Sequence, residues 1–183
     1  EYAVSLSKLA HAHLVGVFFF FFTYTSYKIY DLVTSEGVSE AKLKQFDQGD
    51  KEKRAAAVEA FEMACRQAGV EHSIHHDKKI ALQELLHESI YADLLIIDTK
   101  ETLTHYEEAV PSRFIKDLLT DVMCPVLLLP PHYKPINKIE YLYHGEPSSV
   151  YAIKMFSYLF PVLEQLPAEI VSVKNADTSL HVP

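Results

Sequence analysis

The side chains with the widest chemical repertoire in this 183-residue chain are ten histidines, two cysteines and a scatter of carboxylates. His11 and His13 stand two apart at the end of a helix-like run, so they do not share a helix face. His75-His76-Asp77 closes a strand-like run, at the edge where α/β proteins place ligands. A metal there would need three or four converging ligands, and the sequence shows no such convergence, so these read as solvated loop histidines. His105-Tyr106-Glu107-Glu108 contains the paired carboxylates of general acid–base chemistry. In a polar loop, the plainer reading is surface charge. Cys124 has no basic neighbour to lower its pKa and precedes an apolar run, which argues against a reactive thiolate. Cys65 falls within an Ala-rich helical run and reads as a small buried hydrophobe. No Gly-x-Ser-x-Gly elbow, Walker-type loop or Cys-x-x-Cys pair occurs.

Charge narrows the partners. Seventeen basic against 25 acidic residues leave a formal charge of −8, the wrong sign for a phosphate-binding face. The densest basic stretch, Lys51-Glu52-Lys53-Arg54, includes a glutamate and opens a helical run, so it reads as a solvated helix face. Two cysteines are not a disulfide framework, and a reducing, cytoplasmic compartment is expected. The most apolar stretch, Leu14 to Phe22, falls far short of the roughly 20 residues a spanning helix requires. No membrane or nucleic-acid partner is expected.

The elements that must position these side chains alternate. A loose helical pattern covers residues 2–10, and Leu14 to Phe22 runs apolar without alternation, like a strand buried on both faces. The five phenylalanines from Phe18 to Phe22 are more than such a strand ordinarily holds. Residues 23–50 read as a long polar loop with one helical turn, in which Tyr24, Tyr27 and Tyr30 cover a core. Lys51 to Ala68 is a helix with Val58, Phe61, Met63 and Cys65 as apolar positions and Gly69 as its stop. A short strand at 70–76, an amphipathic helix at 80–91 and a doubly buried strand at 94–97 follow. A polar loop at 98–111 leads to a helix over 114–123 with Phe114, Leu118, Leu119 and Val122 inward. Pro125 to Pro130 then makes a strand bracketed by prolines. The segment 132–137 reads as a linker. Beyond it lie a strand at 139–143, a helix at 148–160 and a strand at 169–173, a fresh β-α-β unit. This order predicts an α/β fold: an open, parallel, twisted sheet with helices on both faces.

Ala92-Asp93-Leu94-Leu95-Ile96-Ile97, a loop, one helix and then Cys124-Pro125-Val126-Leu127-Leu128-Leu129-Pro130 resemble the closing half of a universal stress protein domain. The helix and strand at 3–20, the helix at 51–68 and the strand near 70–76 are similar to that family's order. The stretch from Tyr141 to Ser149 resembles the strand and turn that open another such domain. The resemblance implies a Rossmann-like or flavodoxin-like tandem arrangement. Residues 1–131 would form a first domain without its opening strand, and 138–183 the start of a second.

The family's opening strand lies mid-sheet, at the switch point where ligands bind. A domain without it exposes two strand edges. Either chain upstream of Glu1 is missing, or the strand at 139–143 fills the gap, from its own chain or a partner's. ATP-binding members of the family carry glycines after the fourth strand and at the start of the last helix, where backbone amides meet phosphate. Here Asp98 and Glu101 (or Thr99 and Thr102, one register on) stand in the glycine positions, and the helix opens at Pro111-Ser112-Arg113. In the second unit His144 stands where the family often has an aspartate. Asp98, Glu101, Ser112, Arg113 and His144 are therefore the candidate nucleotide-site residues by resemblance. Carboxylates beside a triphosphate repel it unless a metal intervenes, so an ATP cofactor is disfavoured. Ser112 has a plainer role as a helix N-cap.

The reading that results is a non-enzymatic stress-response protein, acting as a homodimer or through intramolecular domain pairing. The apolar run Val126 to Leu129 would lie at a sheet edge open to such pairing, and a small ligand would bind at the carboxyl edge of the sheet. Two alternatives stay open: an ATP-binding member with weak ATPase or switch activity, and an enzyme related to nucleotidyl transferases.

Overall fold

Helix and strand alternate through the computed structural model, which describes residues 1–19, 40–77, 81–101 and 108–172. Its elements are α1 (Tyr2–Ala10), β1 (Leu14–Phe19), α2 (Glu40–Ala68), β2 (His72–Asp77), α3 (Ala81–Glu88), β3 (Leu95–Asp98), α4 (Arg113–Asp121), β4 (Val126–Leu129), β5 (Ile139–Leu142), α5 (Pro147–Leu159), a 3₁₀ turn (Pro161–Gln165) and β6 (Ala168–Val171). The tyrosine series Tyr24, Tyr27 and Tyr30, the phenylalanines beyond Phe19, and His105 to Glu107 lie outside the described residues. The chain divides into two compact units, Glu1–Pro131 and His132–Pro183.

The fold is α/β, and every described strand pairs in parallel. A single open sheet was expected; the described strands instead form three two-stranded sheets, β1 with β2, β3 with β4, and β5 with β6. Among the described strands of the first unit, β1 pairs only with β2 and β3 only with β4. The strand expected at 139–143, a candidate to complete the first domain's sheet from its own chain or a partner's, ladders with β6 within this chain.

In the first unit, α1 stops at His11, whose positive φ of 51° turns the chain so that the Ala12 N–H donates to the Ser7 carbonyl at 2.9 Å. Gly69, at φ 67°, ends α2 in the same way, with the Val70 N–H on the Cys65 carbonyl at 2.9 Å. Helix α2 begins at residue 40, not 51, so the expected loop is helical over its last eleven positions. Nucleation is the costly step in helix formation, and strong helix formers such as Glu40, Ala41, Lys42 and Lys44 extend an established helix cheaply. Gly49 costs only about 1 kcal/mol against alanine, and beside it the Gln48 side chain donates to Glu52 at 2.9 Å.

Phe61 on α2 packs edge-on against Phe18 of β1 and against the His72 ring of β2, with centroids 5.7 and 5.8 Å apart. The Arg54 guanidinium donates to the Phe18 carbonyl at 2.8 Å. Arg54 was expected on a solvated face; instead it ties α2 to β1, because a long arginine can run its stem over apolar surface. Met63, expected inward, is exposed, while Cys65 is fully buried.

The other core joins α3, α4, β3 and β4. Leu85, Phe114, Ile115 and Leu118 are buried there against Leu95, Ile97 and Leu128. Ile115, one turn before Leu119 on the same side of α4, is buried, whereas Leu119, expected inward, is exposed, so the buried set runs 114, 115 and 118. Strands expected to be buried on both faces are half-buried, because each belongs to a two-stranded sheet.

In the second unit Pro147, with its fixed φ and no N–H to lose, opens α5. Ile139, Phe160 and Leu163 are its buried apolar residues, and Tyr141 meets Phe156 edge-on at 6.0 Å. Among the described residues, no helix is long and apolar enough to cross a membrane.

Candidate functional site

Four of the five candidate residues gather at the carboxyl end of the β3–β4 pair. Asp98 is the last residue of β3, held in register by the Thr99 N–H on the Leu129 carbonyl at 2.9 Å. Its Oδ1 accepts from the Lys100 N–H at 2.7 Å, and its carbonyl accepts from the Glu101 N–H at 3.1 Å. The carboxylate therefore closes a local turn, the usual way an aspartate satisfies neighbouring amides. Glu101 presents its carbonyl to the Ser112 hydroxyl, which donates to it at 2.5 Å.

Ser112 is 2% exposed and is the N-cap of α4, in extended backbone (φ −62°, ψ 165°). Its Oγ accepts from the Ile115 N–H at 3.2 Å while donating to Glu101. One hydroxyl thus joins the start of α4 to the loop after β3. Arg113 projects into solvent, where its Nε lies 3.7 Å from Asp117.

Glu108 is a residue that sequence reasoning took for plain surface charge. Its Oε2 accepts from the Arg113 N–H at 2.8 Å, at the first turn of α4. An anion belongs there, because the first amides of a helix lack internal partners and carry the positive end of the dipole. Of the first amides of α4, that of Arg113 is held by Glu108 and that of Ile115 by Ser112. A carboxylate six residues before the first inward residue of a helix was the only signal for this in the sequence, and it is a weak one.

His144 belongs to the second unit, exposed in the turn between β5 and α5 and followed by Gly145 at φ 90°. The Ser149 hydroxyl below it donates to the Glu146 carbonyl at 2.7 Å. Along β5 lies an open groove of about 260 Å³, lined by all four β5 residues with Ala152, Ile153 and Phe156 of α5.

Two histidine contacts were invisible in the sequence. The His13 Nε2 lies 2.9 Å from the Ser73 Oγ, and the His75 Nδ1 lies 2.9 Å from the Glu88 Oε1. The β1–β2 register, pairing Val15 with Ser73, brings the first pair together across 60 positions. Both are exposed, and among the described residues no group of three or more potential metal ligands converges. Both cysteines are free thiols. Burial pushes the Cys65 thiol up, and burial followed by the Asp93 charge pushes up that of Cys124, so neither is poised as a thiolate. Comparison with models of known protein families and with curated proteins found no match.

Proposed function

We propose that this chain is a non-enzymatic stress-response protein of the universal stress type, acting in a reducing, cytoplasmic setting through self-association and a small ligand at the carboxyl edge of its strands. The element order supports the reading: parallel pairs β1–β2 and β3–β4, with helices between them, follow the order that the Cys-Pro-Val strand first pointed to. The observation that carries the non-nucleotide part is the start of α4. Its Arg113 amide is held by Glu108 and its Ile115 amide by Ser112. An incoming phosphate would have to displace a carboxylate and a buried hydroxyl.

Isothermal titration of the 183-residue chain with magnesium–ATP tests this. No saturable binding in the micromolar range is expected. Micromolar binding that Ser112→Ala or His144→Ala abolishes, with the far-ultraviolet circular dichroism unchanged, would replace this reading with that of a nucleotide-binding protein.

A further inference from the structure

The two sides of the β1–β2 pair carry different chemistry. Phe61 of α2 packs on Phe18 and on His72, so the even-numbered residues of both strands face that helix. The odd-numbered residues face the other way. The Leu14 N–H donates to the Glu71 carbonyl at 2.9 Å, which carries the parallel register back to set His13 beside Glu71, ahead of Val15 beside Ser73. His13, Val15, Glu71, Ser73 and His75 therefore share one side, open enough to leave Val15 37% exposed. On it the His13 Nε2 stands 2.9 Å from the Ser73 Oγ, while the His75 Nδ1 is engaged at 2.9 Å by Glu88 of α3. His13 is exposed, and Ser73 is half-buried within the ladder.

A serine hydroxyl at hydrogen-bond distance from an accessible imidazole is how a weak nucleophile gains a general base. With its ring proton on Nδ1, His13 accepts the Ser73 hydroxyl proton at Nε2. We propose that Ser73 is an acyl-acceptor site, activated by His13, that is modified once by a small, uncharged, activated ester. The Ser73 Oγ bonds to the acyl carbon as its proton passes to His13. The bond from that carbon to the leaving oxygen then breaks, and the departing alcohol takes the proton from His13. Glu71 and Glu88 near this side disfavour an anionic donor. The register directs the Ser73 amide to the Leu14 carbonyl, so this amide does not serve as an oxyanion donor. An activated donor brings its own good leaving group and needs only the base. The alkyl ester formed on Ser73 has a poor one, and without oxyanion stabilisation it persists. Such single use is compatible with a non-enzymatic protein, and it depends neither on the self-association nor on the ligand proposed above.

Incubating the 183-residue chain with p-nitrophenyl acetate, then mapping peptides by mass spectrometry, tests this. Stable acetylation of Ser73 ahead of every other serine is expected. His13→Gln keeps a hydrogen-bonding side chain but removes the base, and should slow that acetylation by about 10²–10⁴-fold. Added imidazole should restore part of the rate in His13→Ala. His75→Gln, on the same side, should leave the rate as in wild type, and urea midpoints check that each variant stays folded. Ser73 labelled no faster than other serines, or labelled equally fast in His13→Gln, overturns the proposal and leaves the reading above standing. Steady release of p-nitrophenol far beyond one equivalent, lost in both Ser73→Ala and His13→Gln, would make the pair an esterase. That result overturns the single-use acceptor and the non-enzymatic reading together.

Discussion

Replacing Ser112 by alanine separates a structural serine from a ligand-binding one. The hydroxyl is 2% exposed and makes two hydrogen bonds, accepting from the Ile115 amide and donating to the Glu101 carbonyl. Loss of the N-cap costs about 1 kcal/mol. Loss of the Glu101 bond costs about another 1 kcal/mol, since the carbonyl is left to find another donor. The two share one atom, so they will not add strictly, but about 2 kcal/mol is the working figure. For a chain of this size that lowers the Tm by about 4–8 °C. The sequence contains no tryptophan, so melting is followed by far-ultraviolet circular dichroism, with urea unfolding as a second measure. Ser112→Gly serves as the control, because glycine is itself an acceptable N-cap and forfeits only a few tenths of a kcal/mol of the capping energy. It should fall between wild type and Ser112→Ala. A Ser112→Ala protein melting within about 1 °C of wild type would show that the hydroxyl does not hold α4 to the loop after β3, and the argument for an occupied helix start would fail with it.

Gly16→Ala should destabilise the first unit by about 1–3 kcal/mol through overpacking, because the added methyl would lie 2.7 Å from the Phe18 ring and 2.9 Å from the Phe61 ring. Urea midpoints read the effect, and adding Phe61→Leu should recover part of it; no recovery would place the strain elsewhere. In the second unit, the hydrogen bond and charge of Lys138 hold the Glu140 carboxyl below its usual range, while Glu169 and then Glu140 raise the Lys138 ammonium. The Glu140 contribution is therefore present above about pH 4.3 and lost as pH falls through the depressed folded value. The Lys138 contribution is present below about pH 10.4 and lost as pH rises through the raised one. A carboxyl-carbon NMR titration should show Glu140 moving up toward its ordinary range in Lys138→Met, and an unchanged value would dissolve the pair.

Much of the architecture was legible along the chain. Apolar runs marked β1, β3 and β4, the last bracketed by Pro125 and Pro130, and helical periodicity marked α3 and α4, because burial imposes these patterns locally. Helix α2 was read eleven residues short, since Gly49 and a polar face conceal a helix whose early turns rest on propensity more than on an apolar stripe. Choosing Leu119 over Ile115 was an error of one turn along the helix: the two lie on the same side of α4, and periodicity alone does not say which turn is covered.

The site was less legible. Asp98, Glu101, Ser112 and Arg113 were picked out together and do lie together at the end of β3 and the start of α4. What each side chain does there depended on contacts that span the loop. The sequence by itself determined the alternation of helices and strands, the capping serine and the absence of phosphate-binding glycines, all of which are properties of neighbouring residues. The tertiary structure decided that Glu108 sits on the first amide of α4, that Ser112 reaches back eleven residues to Glu101, that His13 meets Ser73, and that β5 ladders with β6. Such facts follow from strand register and loop closure, where free energy is shared among residues far apart in the chain and no local pattern records it.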